Sequence, residues 1–145
     1  MELVVKKYNE LTLDELYEII QARIAVFVIE QNCPYQDLDN KDKNAYHVIL
    51  RDNNVIKGYL RVLDKGVTFE EESLGRVITT ERGKGYSIII LKEGIKVAKE
   101  KYGAKKIRIS AQLYAKGVYE KVGFKQVSGE YLEDGIPHIQ MLLEI

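Results

Sequence analysis

The chain has 145 residues, and Lys plus Arg equals Asp plus Glu at 22 each, so the formal net charge is zero. That balance offers no field for nucleic acid or an anionic membrane, and the length suits one domain, 1–145, with a core of its own. A single cysteine excludes an internal disulfide; with no membrane-length apolar run and no signal-peptide stretch in Met1 to Lys7, the expectation is a cytoplasmic protein.

Leu3 to Tyr8 reads as a first strand. Thr12-Leu13-Asp14-Glu15 is a capping box, in which the Thr12 hydroxyl and Glu15 carboxylate satisfy orphan amides at a helix start. The helix that follows carries a stripe at Leu16, Ile20, Arg23, Phe27 and Glu30. Arg23 and Glu30 therefore share the inward face with apolar residues. A buried, unpaired charge is costly, so each either pairs within the protein or meets a ligand. The polar run Gln31 to Asn40 ends the helix as a long ordered loop. Cys33 in that loop has no basic neighbour in sequence and reads as a bystander thiol. Lys41-Asp42-Lys43 reads as solvated surface.

Tyr46 to Leu50 and Val55 to Leu63 form a hairpin, with His47 a satisfied structural histidine. Glu70-Glu71-Glu72 connects to a central strand from Leu74, on which Arg76 and Ile78 point to one face, Val77 and Thr79 to the other. Ile88, Leu91, Ile95, Ala98 and Tyr102 mark one face of a helix that Gly103 closes. Lys105 to Ala111 is the next strand, made a parallel neighbour of the previous one by a right-handed crossover. Gln112 to Val122 is a short helix closed by Gly123. Phe124 to Leu132 then pairs with Ile136 to Ile145 around Asp134-Gly135. On the last strand His138, Gln140 and Leu142 share one face, and Ile139, Met141 and Leu143 take the core face.

Between the central strand and the long helix lies Arg82-Gly83-Lys84-Gly85-Tyr86-Ser87. A glycine-rich turn that opens a helix leaves N–H groups without partners at the positive end of the macrodipole. With Arg82 and Lys84 added, the geometry suits a phosphate or pyrophosphate. A P-loop is excluded because G-x-x-x-x-G-K-[ST] is absent. A dinucleotide fingerprint from Gly83 would place Ile88 at its third glycine, and the next strand lacks the acidic residue that fingerprint wants. The remaining option is R-x-x-G-x-[GA], the coenzyme A pyrophosphate turn of the GNAT N-acetyltransferase superfamily. Arg82, Gly85 and Ser87 resemble it, with Ser at the last small position.

Tyr119-Glu120-Lys121-Val122-Gly123-Phe124 resembles the Y-E-K-x-G-F of that superfamily's penultimate helix. Val26 to Asp37, Gly75-Arg76-Val77-Ile78 and Glu133 to Ile139 look like its ElaA-like branch in particular, and the element order is similar to the GNAT fold along the whole chain. The resemblance implies an α/β (α+β) architecture with a mixed, mostly antiparallel central sheet of about seven strands flanked by helices. It implies acetyl-CoA (coenzyme A) as cosubstrate and no metal. Coenzyme contacts would come from Val77, Ile78, Thr79, Arg82, Gly83, Lys84, Gly85, Tyr86, Ser87 and Tyr119.

In the mechanism so implied, a primary amine attacks the thioester directly, with Tyr119 as acid and His138, or a water-linked Glu30, as base. Arg23, Glu30, Gln31, Arg76 and Gln112 would line the acceptor pocket. Two guanidiniums converging there would suit a small amine that also bears a carboxylate or phosphate. Relatives space the strand arginine and the loop arginine further apart than Arg76 and Arg82, so a tighter turn is expected. Acyl-homoserine lactone synthases share the fold and an R-x-x-x-F helix that Arg23 and Phe27 match, but they use a tryptophan, and this chain has none. A protein-lysine acceptor and a non-catalytic acetyl-CoA sensor stay open as alternatives. The expected state is a monomer or homodimer without nucleic acid or membrane partners.

Overall fold

The computed structural model describes every residue, Met1–Ile145. Strands β1 (Glu2–Lys7), β2 (Tyr46–Asp52), β3 (Val55–Leu63) and β4 (Ser73–Thr79) form one antiparallel sheet in chain order. In the second half β8 (Ile136–Glu144) pairs with β5 (Lys106–Gln112) on one edge, and with β6 (Lys125–Gln126) and β7 (Tyr131–Glu133) on the other. The two halves meet where β4 begins, through a parallel bridge between Glu72 and Ile107 and an Arg108 N–H that donates to the Glu72 carbonyl at 3.0 Å. The architecture is the expected mixed, mostly antiparallel sheet with flanking helices. Its strands number eight because the segment read as one strand from Phe124 to Leu132 is interrupted between β6 and β7.

Helix α1 (Leu13–Arg23) starts at the capping box: the Glu15 N–H donates to Thr12 Oγ1 at 3.0 Å and the Thr12 N–H to Glu15 Oε1 at 2.9 Å. It runs on into a π-helical stretch, Ile24–Glu30. Helix α2 (Tyr86–Tyr102) covers the opposite face of the first sheet, and α3 (Lys116–Lys121) precedes the Gly123 turn. The larger core joins Val48, Leu60 and Val62 of the first sheet to Ile90, Leu91 and Ala98 of α2 and to Ile107, Ile109, Ile139 and Met141 of the second half. A smaller one sets Ile19 of α1 against Ile49, Ile56, Tyr59 and Ile78. The buried face of α2 is turned from the expected stripe. It centres on Ile90, Leu91, Gly94, Val97 and Ala98, with Ile88, Ile95 and Tyr102 half-buried. Gly94 is the reason: a Cβ there would stand 2.9 Å from Leu60 Cδ2, so the glycine sets how closely the helix rests on β3.

Strand β4 departs from plain alternation. Tyr59 faces Ile78 and Arg61 faces Gly75, so Arg76 and Val77 together stand opposite the single residue Leu60. This is a β-bulge, and Arg76 sits in it at φ 51°. Leu74 and Val77 consequently pack toward α2 while Ile78 packs toward α1; Val77 and Ile78 keep the opposite faces read from the sequence, and the alternation breaks between Leu74 and Val77.

Gly123 holds φ 106°, and a Cβ on it would lie 2.9 Å from Leu143 Cδ1. Backbone strain and a core clash therefore act together in Gly123→Ala. That variant should lose about 2 kcal/mol of stability in a denaturant titration; an unmoved midpoint would refute this.

Candidate active site

Past the Glu72–Ile107 bridge, β4 and β5 are unpaired, and a cleft of about 460 Å³ opens between them. Val77, Ile78 and Thr79 line it from β4, Arg82, Gly83, Gly85, Tyr86 and Ser87 from the turn that opens α2, and Tyr119 from α3. Lys84 is the one expected coenzyme residue that does not face the cleft. Gly83 and Gly85 hold φ 75° and 76°, and no heavy atom lies within 4 Å of where a Cβ would stand on either. No N–H from residue 81 to 88 donates to a backbone acceptor, and Gly85 caps α2 without any side-chain bond. The turn is thus open backbone with unspent donors, which fits a diphosphate.

Arg82 and Glu30 meet across the rim of the cleft at 2.9 Å, with 81% and 53% of their side chains exposed. Glu30 is therefore surface-exposed rather than inward-facing as the stripe suggests. The i→i+5 bonding of the π-helical stretch shifts residues after Arg23 off the α-helical period. Glu81 also lines the cleft, where it pairs with Lys57 at 3.0 Å.

The half-buried Tyr119 packs edge-on against Phe124, with ring centroids 5.9 Å apart. Burial pushes its phenol well above the usual tyrosine value, so it holds its proton near neutrality. His138 is 6% exposed. Its Nδ1 lies 2.7 Å from the Ile136 carbonyl; a carbonyl only accepts, so Nδ1 carries the proton and Nε2 of the neutral ring has a free lone pair. Glu133 Oε2 stands 3.4 Å from that Nε2, and Tyr131 stacks on the imidazole at 6.1 Å and 25°.

Gln31 and Gln112 both border the cleft and exchange amide hydrogen bonds of 3.2 Å each. This ties the loop after α1 to β5. The Cys33 thiol donates to the Asp134 carbonyl at 3.3 Å and ties the same loop to the terminal hairpin. The cysteine thus lines the cleft.

Arg23 and Arg76 do not converge on open space. Arg23 is 1% exposed and lies away from the cleft. Its Nε donates to Asp37 Oδ2 at 2.9 Å, its Nη1 to Asp42 Oδ1 at 2.7 Å, and its Nη2 to the Asp37 carbonyl at 3.1 Å. Arg76 does line the cleft, and its Nη2 donates to the Asp37 carbonyl at 3.0 Å. Its Nε is 2.8 Å from Asp37 Oδ1, close enough for an ion pair but misaligned for N–H donation. Arg61 joins the network, holding both Asp39 oxygens at 2.7 Å and Asp42 Oδ1 at 3.0 Å. Asp42 is accordingly buried, not solvated surface. Burial alone would raise its carboxyl, but the hydrogen bonds and charges of Arg23 and Arg61 hold it below the usual range.

His47 is satisfied, as its position suggests. Nε2 lies 2.9 Å from the Asp42 carbonyl and Nδ1 2.7 Å from the Tyr59 hydroxyl. The carbonyl can only accept, so Nε2 carries the proton and Tyr59 donates to Nδ1. Of the residues that sequence reasoning passed over, Glu133 matters most. Its signal is the two-residue Asp134-Gly135 turn, which puts Tyr131, Glu133, Ile136 and His138 on one face of the hairpin. No His, Cys, Asp and Glu side chains are grouped as a metal site requires, and no helix is long and apolar enough to cross a membrane.

Comparison with known proteins adds four likenesses. A family profile described as an acetyltransferase (GNAT) domain matches residues 9–145. ElaA of Escherichia coli is 35% identical over 142 residues, covering 95% of this chain and 93% of ElaA. The ElaA crystal structure superposes at TM-score 0.91 with 34% identity, covering 99% of this chain and 100% of that one. An acyl-CoA N-acyltransferase from Pseudomonas aeruginosa superposes equally well, at TM-score 0.91 and 32% identity, covering 99% of both chains.

Two stability predictions follow from the network. Asp42→Ala takes one of two carboxylates from each of two buried guanidiniums and should cost about 3 kcal/mol in denaturant unfolding. Burial lowers the His47 pKa, so the native state keeps it neutral while the unfolded chain protonates it below about pH 6.5. The unfolded state then binds more protons, and stability falls as pH drops from that value toward the folded pKa, by up to about 1.4 kcal/mol per pH unit. His47→Gln should flatten that slope; an unchanged slope would count against it.

Proposed function

Because the chain belongs to the GNAT acetyltransferase family, in its ElaA-like branch, and is an acyltransferase, we propose that it moves an acetyl group from acetyl-CoA to the primary amine of a small molecule. The observation that carries this reading is one of placement. Glu81 to Gly83 and Gly85 to Ser87, whose N–H groups are unspent, line the same cleft as Tyr119 and His138. A diphosphate held at the turn accepts from those N–H groups, with Val77, Ile78 and Thr79 along the arm that leads inward.

The chemistry is direct attack. His138 Nε2 takes a proton from the ammonium, and the freed amine forms a C–N bond at the thioester carbonyl as the C–S bond breaks. A backbone N–H of β4 near Ile78 or Thr79 would stabilise the charge on the carbonyl oxygen. The departing thiolate takes the Tyr119 proton, and the second proton that the nitrogen sheds on becoming an amide restores the tyrosine. Glu30, exposed and paired with Arg82, is the weaker candidate for base.

Two ties support a small acceptor over a protein lysine: Gln31–Gln112 and Cys33–Asp134 draw the loop and the terminal hairpin over the cleft. Among the expected acceptor residues, Arg76 is the guanidinium at the cleft wall. An anionic group on the acceptor would have to draw it from Asp37 and Asp39.

Calorimetry with acetyl-CoA tests the coenzyme reading; absence of uptake by the purified chain removes it. Turnover is tested by thiol release from acetyl-CoA across a panel of small amines. With an amine that reacts, Tyr119→Phe should lower kcat on the order of 10²-fold and leave coenzyme affinity within about twofold. A variant with full kcat would remove the acid role.

A further inference from the structure

Glu133 and His138 present two acceptors to one point. The neutral imidazole has its proton on Nδ1, bound by the Ile136 carbonyl, so Nε2 offers a lone pair. In that neutral form, Nε2 and the Glu133 carboxylate 3.4 Å from it are two acceptors with no donor between them. No lysine or arginine supplies one: the only ionic neighbour of Glu133 is His138 itself. Of the other carboxylates lining the cleft, Glu30 pairs with Arg82 and Glu81 with Lys57; Asp134 likewise has no cationic partner, but the carboxylate beside the imidazole is Glu133. Glu133 is also held in place, since its Oε1 accepts from Ser110 Oγ at 3.2 Å and Ser110 bonds the Tyr131 hydroxyl. Tyr131 in turn walls the imidazole.

We propose that Glu133 is the ammonium-binding carboxylate of the acceptor site, seating a primary alkylammonium between its Oε2 and His138 Nε2. This deepens the transferase reading and rests on it for the identity of the acceptor as an amine. One N–H of the ammonium points to each acceptor. The proton on the His138 side moves to Nε2, leaving a neutral amine and an imidazolium already paired with a carboxylate. The amine lone pair is then free to attack, and the proton leaves to solvent past the half-exposed Glu133. Quaternary ammonium ions, which have no N–H, and neutral alcohols lack the means to bridge the pair.

The test needs no knowledge of the natural acceptor. n-Butylammonium chloride is titrated into the chain while the His138 ring resonances are followed by NMR, with tetramethylammonium and n-butanol as controls. The expected result is a saturable shift with n-butylammonium alone, weakened roughly tenfold or more in Glu133→Gln, the scale of one charge-assisted contact, and partly restored in Glu133→Asp. Glu133 is 51% exposed, so both variants should fold, and coenzyme A uptake by calorimetry on the same samples checks that. No saturable shift in the wild type, equal affinity in Glu133→Gln, or an equal response to tetramethylammonium overturns the proposal. Coenzyme uptake without an ammonium response sinks this inference alone, whereas failure of the wild type to take up coenzyme A sinks the transferase reading.

Discussion

Three guanidiniums, Arg23, Arg61 and Arg76, share three carboxylates, Asp37, Asp39 and Asp42, in a network that closes on itself in charge. Buried ion pairs of this kind roughly break even in stability against apolar packing, so their contribution lies in where they hold the chain. Asp37, Asp39 and Asp42 belong to the polar segment after the π-helical stretch, while Arg61 and Arg76 belong to β3 and β4 and Arg23 to α1. The network fastens that segment to the sheet at the bulge. Beneath it, the Arg23 guanidinium lies over the Tyr59 ring at 5.9 Å, and Tyr59 bonds His47. A polar interior is thereby built beside the smaller apolar core.

The fastening determines the cleft. With residues 31–45 drawn down on β4, Gln31 and Cys33 are delivered to β5 and the terminal hairpin. The bulge holds Arg76 at a left-handed backbone angle and turns Ile78 toward α1. β4 and β5 part beyond their single bridge, and the opening between them is lined by the turn before α2 on one side and by His138 on the other. A mostly antiparallel sheet thus gains one unpaired parallel seam, and the candidate chemistry sits in that seam.

The local features were legible in the sequence: the Thr12 capping box, the strand–turn–helix at Arg82 to Ser87, the Gly103 cap and the Asp134-Gly135 hairpin. Each depends on residues close together in the chain. What depended on distant partners was not. Arg23 reads as needing a partner, but nothing local says that Asp42, flanked by two lysines, is that partner. Glu30 fits a 3.6-residue stripe until the helix changes its bonding pattern. Residues Leu74 to Thr79 alternate well enough to hide a bulge. Glu133 resembles an ordinary exposed turn residue because its role is set by the register of β7 against β8.

The rim pair of Arg82 and Glu30 has a bearing on how firmly any anion is held at the turn. Its guanidinium is already matched, so a newcomer there exchanges one counter-charge for another, and only the difference between the two appears as affinity. The backbone amides behind it have no protein acceptor to give up, so an anion there would displace only solvent.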